Sequence, residues 1–190
     1  MTTIAVGAPK TPKGETTGYF YMLPITETPP TDATTAVGAS AIDVGFVGAD
    51  GVALTAEIDS EMIQDWNLDD VLQIKNGASA SVEVPVFGWS MDQAKVIYSA
   101  DAVSGTEDNF KVNWAGELPA HVYLVFELRG VNGDARLVCE AQIASPGEVS
   151  FTTNTALTHT VTAALFKNEN FKDGKGRSSF FSLMDGTATP

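Results

Sequence analysis

Residues able to do chemistry are few in this chain, and their spacing matches no catalytic pattern. His121 and His159 are its two histidines. Both fall in alternating, strand-like stretches, with no cysteine or carboxylate placed at metal-ligand spacing beside them. Cys139 is the single cysteine. It lies at an inward position of a strand pattern, where a thiol acts as a small hydrophobe, and its solitude excludes an internal disulfide and fits a reducing compartment. No serine occupies a Gly-x-Ser-x-Gly elbow, so a Ser-His-Asp triad has no local support. Gly174-Lys175-Gly176-Arg177-Ser178-Ser179 has the composition of a phosphate loop but not its Gly-Lys-Ser/Thr order, and no βα unit surrounds it. Asp69-Asp70 and Glu107-Asp108 could touch a cation, yet calcium-loop spacing is missing. The sequence therefore points to no catalytic residue, no cofactor and no metal.

Charge is more informative. The chain of 190 residues carries a formal net charge of −13, which repels nucleic-acid phosphates because affinity for them comes from Lys and Arg. From Asp43 to Asp108, thirteen acidic residues face only Lys75 and Lys95. From Lys167 to Arg177 the sign reverses, with Lys167, Lys172, Lys175 and Arg177 against Glu169 and Asp173. Unlike charge on two zones of one chain suits head-to-tail association. No run approaches the roughly 18 apolar residues of a membrane helix, and the first residues lack the basic and apolar regions of a signal peptide. A soluble chain without an export signal is expected.

The elements that would position these residues are mostly strands. Residues 1–17, with Pro9, Pro12, Gly7 and Gly14, read as an arm; 18–166 form one domain; 167–190 form a basic loop and C-terminal segment. Tyr19–Leu23 is β-prone, and Ile42–Val47 and Val52–Ile58 read as strands around an Asp50-Gly51 turn. Between residues 72 and 86 the pattern favours one long strand, bulged near Gly77, over a hairpin at Asn76-Gly77. Run straight through, it puts Leu72, Ile74, Ala78, Ala80, Val82, Val84 and Val86 on one face. Ser90 and Gln93 form a capping box opening a short helix with Met91, Ala94, Ile97 and Tyr98 on one stripe.

A hairpin is predicted from His121–Arg129 and Asp134–Ile143, turning at Asn132-Gly133. That turn pairs Leu128 with Leu137, Phe126 with Cys139, Leu124 with Ala141 and Val122 with Ile143, leaving Tyr123, Glu127, Arg129, Arg136, Glu140 and Gln142 on the opposite face. Val149–Phe151 and Thr158–Phe166 complete an all-β sandwich or barrel with one short helix. In the acidic connector, Ile63 and Trp66 stand three apart among Asp59, Glu61, Asp65, Asp69 and Asp70. That spacing fits one helical turn presenting both side chains to another subunit, Trp66 being the kind of residue that anchors interfaces. Folding back of Trp66 onto its own domain is the alternative.

Taken in order, several of these segments resemble the major tail (tail tube) proteins of long-tailed, non-contractile bacteriophages. They are Gly18-Tyr19-Phe20-Tyr21 to Pro24, Pro30-Thr31-Asp32-Ala33, Val44-Gly45-Phe46-Val47-Gly48-Ala49-Asp50-Gly51-Val52 and Ile63-Gln64-Asp65-Trp66. Glu148-Val149-Ser150-Phe151 and Thr160-Val161-Thr162-Ala163 are similar to the closing strands. The resemblance spans about residues 18–166. Val71-Leu72-Gln73-Ile74 departs from it where an Arg-Thr-like pair is usual, and too few residues follow Asp185 for the immunoglobulin-like domain that many members append.

The resemblance implies a β-sandwich subunit closing into a hexameric ring with a continuous inner β-barrel. Rings would stack into the tube of a virion tail, built in the host cytoplasm, through which DNA passes without specific binding. Implied partners are further copies of the chain and the tape-measure, tail-terminator and tail-tip proteins. Ile63, Asp65, Trp66, Lys172, Lys175 and Arg177 become inter-subunit candidates. Glu57, Asp59, Glu61, Asp69, Asp70 and Glu83 become candidates for an acidic lumen or ring face. The competing expectation is a β-sandwich binding module of a virion or cell surface that recognises a glycan or a protein.

Overall fold

The computed structural model describes residues 20–47, 51–87, 90–130, 133–152 and 155–187. In chain order the strands are β1 (Phe20–Pro24), β2 (Ile42–Val47), β3 (Ala53–Gln64) and β4 (Asp70–Phe87). The helix α1 (Met91–Tyr98) and a 3-10 turn (Ala100–Ala102) follow, then β5 (Val103–Thr106), β6 (Asn109–Val112), β7 (Val122–Gly130) and β8 (Gly133–Ser145). The chain continues through β9 (Val149–Thr152), β10 (Thr155–Phe166), β11 (Asn168–Lys172), β12 (Ser178–Ser179) and β13 (Phe181–Thr187). The protein is all-β with one short helix, as its alternation predicts. The predicted N-terminal arm, residues 1–17, lies outside the described residues.

Antiparallel pairings run β8–β7–β1–β2–β4–β10 and return from β10 to β8, so the sheet closes on itself as a barrel. Alternate residues point inward, and these are the apolar ones: Val82, Val84 and Val86 of β4, Leu124 and Phe126 of β7, Val161 and Ala163 of β10 are all buried. Phe20 and Phe126 face each other across β1 and β7 with rings stacked 4.5 Å apart. Each such side chain contributes about 1.5–3 kcal/mol on burial. Cys139 is one of them, fully enclosed, and burial pushes its thiol up to about 12.

Among the described residues closure is weakest between β2 and β4, which pair at Phe46–Phe87 and Val47–Val86. The helix mends this seam. Ser90 and Gln93 make the predicted capping box, Gln93 N–H to Ser90 Oγ at 3.1 Å and Ser90 N–H to Gln93 Oε1 at 2.9 Å. The Gln93 amide nitrogen also donates to the Val44 carbonyl of β2, a buried acceptor turned toward the helix. Ile97 and Tyr98 then join the barrel core. One side chain thus caps the helix and satisfies the strand.

Four features of the structure correct or extend the sequence reading. The chain does not reverse between β2 and β3, which both run antiparallel to β4 along the same edge; Asp50 of the expected turn lies outside the described residues, and Gly51 has φ 73°. Second, the β7–β8 hairpin is offset by two residues, with Val122 opposite Ala141, Leu124 opposite Cys139, Phe126 opposite Leu137 and Leu128 opposite Ala135. A two-residue slip keeps every side chain on its face, so alternation cannot detect it. Charge can: the predicted register sets Arg129 against Arg136, whereas the observed one sets Glu127 against Arg136 and Arg129 against Asp134.

Third, the outer face of this hairpin, to which the sequence assigned Tyr123 and Arg136, is covered. Tyr123, Val125, Val138 and Arg136 are buried. They lie with Leu23 and Phe171 under β11 and the segment after β1, where Pro29, Pro30 and Ala33 are buried too. Arg136 donates to Glu127 and, at 2.7 Å, to the Asp32 carbonyl. Asp32 itself accepts from the Thr35 hydroxyl and from the N–H groups of Thr35 and Thr34, and these bonds hold its carboxyl well below the usual range. Fourth, residues 168–179 are a small ribbon, β11–β12, and Phe181–Thr187 is an edge strand on β8. The β5–β6 hairpin, turning at Glu107-Asp108, was not foreseen.

Removing the buried cation by Arg136→Ala leaves the Glu127 carboxylate without it. The expected loss of stability is about 3–5 kcal/mol by denaturant unfolding, with Glu127→Gln plus Arg136→Met recovering most of it.

Candidate functional site

β4 is longer than the barrel that holds it. Its residues Ser81–Phe87 pair with β10, while the half from Asp70 onward pairs only with β3. The result is a two-stranded arm of residues 56–80, roughly 30 Å long at about 3.3 Å per residue. Every residue of β3 is exposed. Large apolar side chains are exposed along the arm, including Ile58 (70 %), Leu68 (76 %), Val71 (60 %) and Leu72 (54 %). Isolated two-stranded ribbons are marginal in water, and exposed apolar patches on a native fold mark contact surfaces.

The tip is a tight turn rather than the predicted helical one. Asp65 accepts from the N–H groups of Asn67 (2.8 Å) and Asp69 (3.1 Å), and its own N–H donates to the Asp69 carbonyl at 2.9 Å. Leu68 adopts φ 65° to complete it. Ile63 is therefore a strand residue opposite Leu72, and Trp66 stands alone at the tip, 103 % exposed. The spacing of three that suggested a shared helical face arises instead from a strand end and a turn. Trp66 does not fold back onto the domain.

Pairing sets the two faces of the arm. Near the barrel, Leu54 opposite Val82, Ala56 opposite Ala80 and Ile58 opposite Ala78 form an apolar face that extends the barrel lining. The reverse face carries Thr55, Glu57 and Asp59 opposite Ser81, Ser79 and Gly77, with Glu83 opposite Ala53. Glu57, Asp59 and Glu83 are exposed there, so this side is acidic. The predicted bulge is present: Asp59 pairs with Gly77 but Ser60 with Lys75, leaving Asn76 as an extra residue in β4.

Beyond it, Ile63 with Leu72 and Glu61 opposite Ile74 lie on the face that was acidic before it. The expectation that Leu72 and Ile74 share a face with Ala78 is thus corrected by the bulge. A bond from the Gln73 amide to Ser60 Oγ (2.8 Å) across the other face agrees with this assignment. Asp70 accepts from Gln64 Nε2 at 3.0 Å, and Asp69 lies in the tip turn.

The basic candidates sit on the β11–β12 ribbon. Asp173 organises its turn, accepting from the N–H groups of Lys175 and Arg177 (both 2.9 Å) and from the Arg177 guanidinium at 2.6 Å. Lys172 and Lys175 are exposed. A groove of about 520 Å³ separates this ribbon from the base of the arm, with Ile58 and Lys75 on one wall and Lys167, Arg177 and Phe180 on the other. Glu57 lines this groove too, so an arm acid and the bases Lys167 and Arg177 border one space within one chain. The tip acids Asp65, Asp69 and Asp70 are not among the groove's walls.

The histidines take different places. His159 is buried in the barrel, and burial holds its pKa down. His121 Nδ1 lies 2.9 Å from Glu140, whose carboxylate also accepts from Asn168 (2.6 Å) and so ties β8 to β11. Among the described residues no group of three or more His, Cys, Asp or Glu is placed to hold a metal ion. Sequence reasoning missed Leu54, Ile58, Leu72 and Ile74 as exposed residues. Their signal was a second strand, β3, with no further strand available to cover either face. Compared with known proteins, the chain matches no protein-family model and no curated sequence.

The backbone and side-chain hydrogen bonds from Arg177, with smaller help from the Lys175 N–H and the Arg177 charge, hold Asp173 below its usual carboxylate value of 3.8. The order of this turn is thus complete above the ordinary carboxylate range and lost as pH falls through the lower folded value. Carboxyl NMR titration should show Asp173 moving back up in Arg177→Ala, while leaving the backbone contribution in place.

Proposed function

We propose that this chain is a structural subunit of the tail-tube type found in long-tailed, non-contractile bacteriophages. In this reading copies close into hexameric rings, and the rings stack into a tube that conducts DNA without gripping it. The observation that carries it is the arm: a barrel with a sound core of its own extends a paired, apolar ribbon that nothing among the described residues covers. A second copy is the natural cover, because strand edges pair with strands and the chain carries zones of both charge signs.

The acidic face of Glu57, Asp59 and Glu83 supports the conduit part of the reading. Placed on a channel wall, it offers phosphate no cation and keeps DNA mobile. The closed barrel supports it as well, since a subunit that bears load in a tube must fold before it docks. Tape-measure, terminator and tail-tip proteins belong to this proposal as the partners such a tube requires, with the virion tail as its location.

Purified protein should give rings or tubes by negative-stain electron microscopy, and a concentration-dependent series by analytical ultracentrifugation. A chain that stays monomeric at the highest attainable concentration overturns the proposal and leaves the binding-module alternative standing. Trp66→Ala should leave monomer stability within about 0.5 kcal/mol, as for other exposed sites. It should raise the concentration needed for assembly several-fold, read by sedimentation. Trp66 fluorescence should shift to the blue on assembly.

A further inference from the structure

The arm would be simpler without its bulge. With unbroken pairing, Leu72 and Ile74 would continue the stripe of Ile58 and Ala78, and Ile63 would be left on the other side among Glu61, Gln73 and Lys75. Asn76 prevents this. It adds one residue to β4 alone, while β3 alternates without interruption from Asp59 to Ile63. The apolar side of β4 therefore changes at mid-arm: Leu54, Ile58 and Ala78 lie on one face below the bulge, with Met62 of β3 prolonging that face, while Ile63, Leu72 and Ile74 gather on the other above it. Extra local twist at a bulge turns the two patches further apart.

We infer that the Asn76 bulge divides the arm into two docking surfaces that face opposite ways, each seated on a different neighbouring copy of this chain. The inference rests on the self-assembly reading above and adds which faces are used. A ribbon apolar on one side can be covered by one neighbour. A ribbon whose apolar side alternates needs two, one in front and one behind, and so links three copies in series. Such contacts are heterologous, and they propagate rather than terminate.

Charge identifies the occupant of the distal face as the same protein. Asp65, Asp69 and Asp70 frame the distal patch, with Asp69 and Asp70 exposed, and exposed Lys172 and Lys175 on the β11–β12 ribbon supply the matching sign. The proximal patch is continuous with the barrel lining, so a neighbour covering it extends an existing apolar surface.

The test compares wild type with Ile58→Asp, Ile63→Asp and deletion of Asn76, by sedimentation and electron microscopy. Ile58 and Ile63 are 70 % and 41 % exposed, so the charged variants should keep the wild-type thermal transition. Wild type is expected to form open-ended assemblies. Each charged variant should stop at a finite oligomer, the two stopping at different species. Deletion of Asn76 should raise the critical concentration about tenfold or more, with the barrel's circular dichroism unchanged. If wild type assembles and the charged variants both match it, or both stop at the same species, the two-face inference is overturned and self-assembly stands. Normal assembly by the deletion variant overturns it equally. A monomeric wild type overturns the self-assembly reading itself.

Discussion

Closure of the barrel by β10 is the constraint on which the other elements depend. This strand pairs with β4 through residues 158–164 and with β8 through residues 162–166, joining the two ends of the sheet. Once closed, the barrel fixes how much of each strand it can hold. What is left over must run past the rim: β3 beside β4, β9 beside β10, β13 beside β8. The exposed arm is thus a geometric remainder, a strand pair whose partners end before it does. Its apolar content separates it from ordinary overhang, since edges left to solvent are usually short, bulged or charged. This one is bulged and charged but also long and apolar.

Much of the fold could be read from alternation and capping. The long β4, the helix with its capping box, the β7–β8 hairpin and the inward Cys139 all follow from local rules, because each is decided by neighbours in sequence. Pairing offsets were harder. A slip of two residues in β7–β8 preserves every face, and only the opposition of Arg129 to Arg136 in the wrong register argues against it. The same limit applied between β2 and β3, where the sequence carries turn chemistry but the two strands run the same way along β4. A positive φ serves a connection that runs on as well as one that reverses.

The site was half legible for a related reason. Acidic character and the oddity of Ile63 and Trp66 are visible as composition. Which side of the ribbon Leu72 and Ile74 face beside Ile63 depends on a single extra residue of β4 opposite Asp59 and Ser60, and a bulge one residue wide hardly disturbs a hydrophobic pattern. Nor does a strand pattern say whether its apolar face will be covered. Val82 and Ile58 lie on the same face of the same ribbon; one is 1 % exposed and the other 70 %. The difference is the end of β10, which no residue of β3 or β4 encodes.

The division between a filled barrel and an uncovered arm means that the chain has no single stability. The barrel is a cooperative unit with its own core, and Tyr98, packed in that core and edge-on to Trp114 at 6.2 Å, belongs to it. The arm has few tertiary contacts to lose and should exchange its amide hydrogens far faster. In the proposed assembly its order is set by how often a neighbour is present, which makes its folding free energy a function of protein concentration. In that assembly, ripening of the first half of β4 into a settled strand is part of association itself.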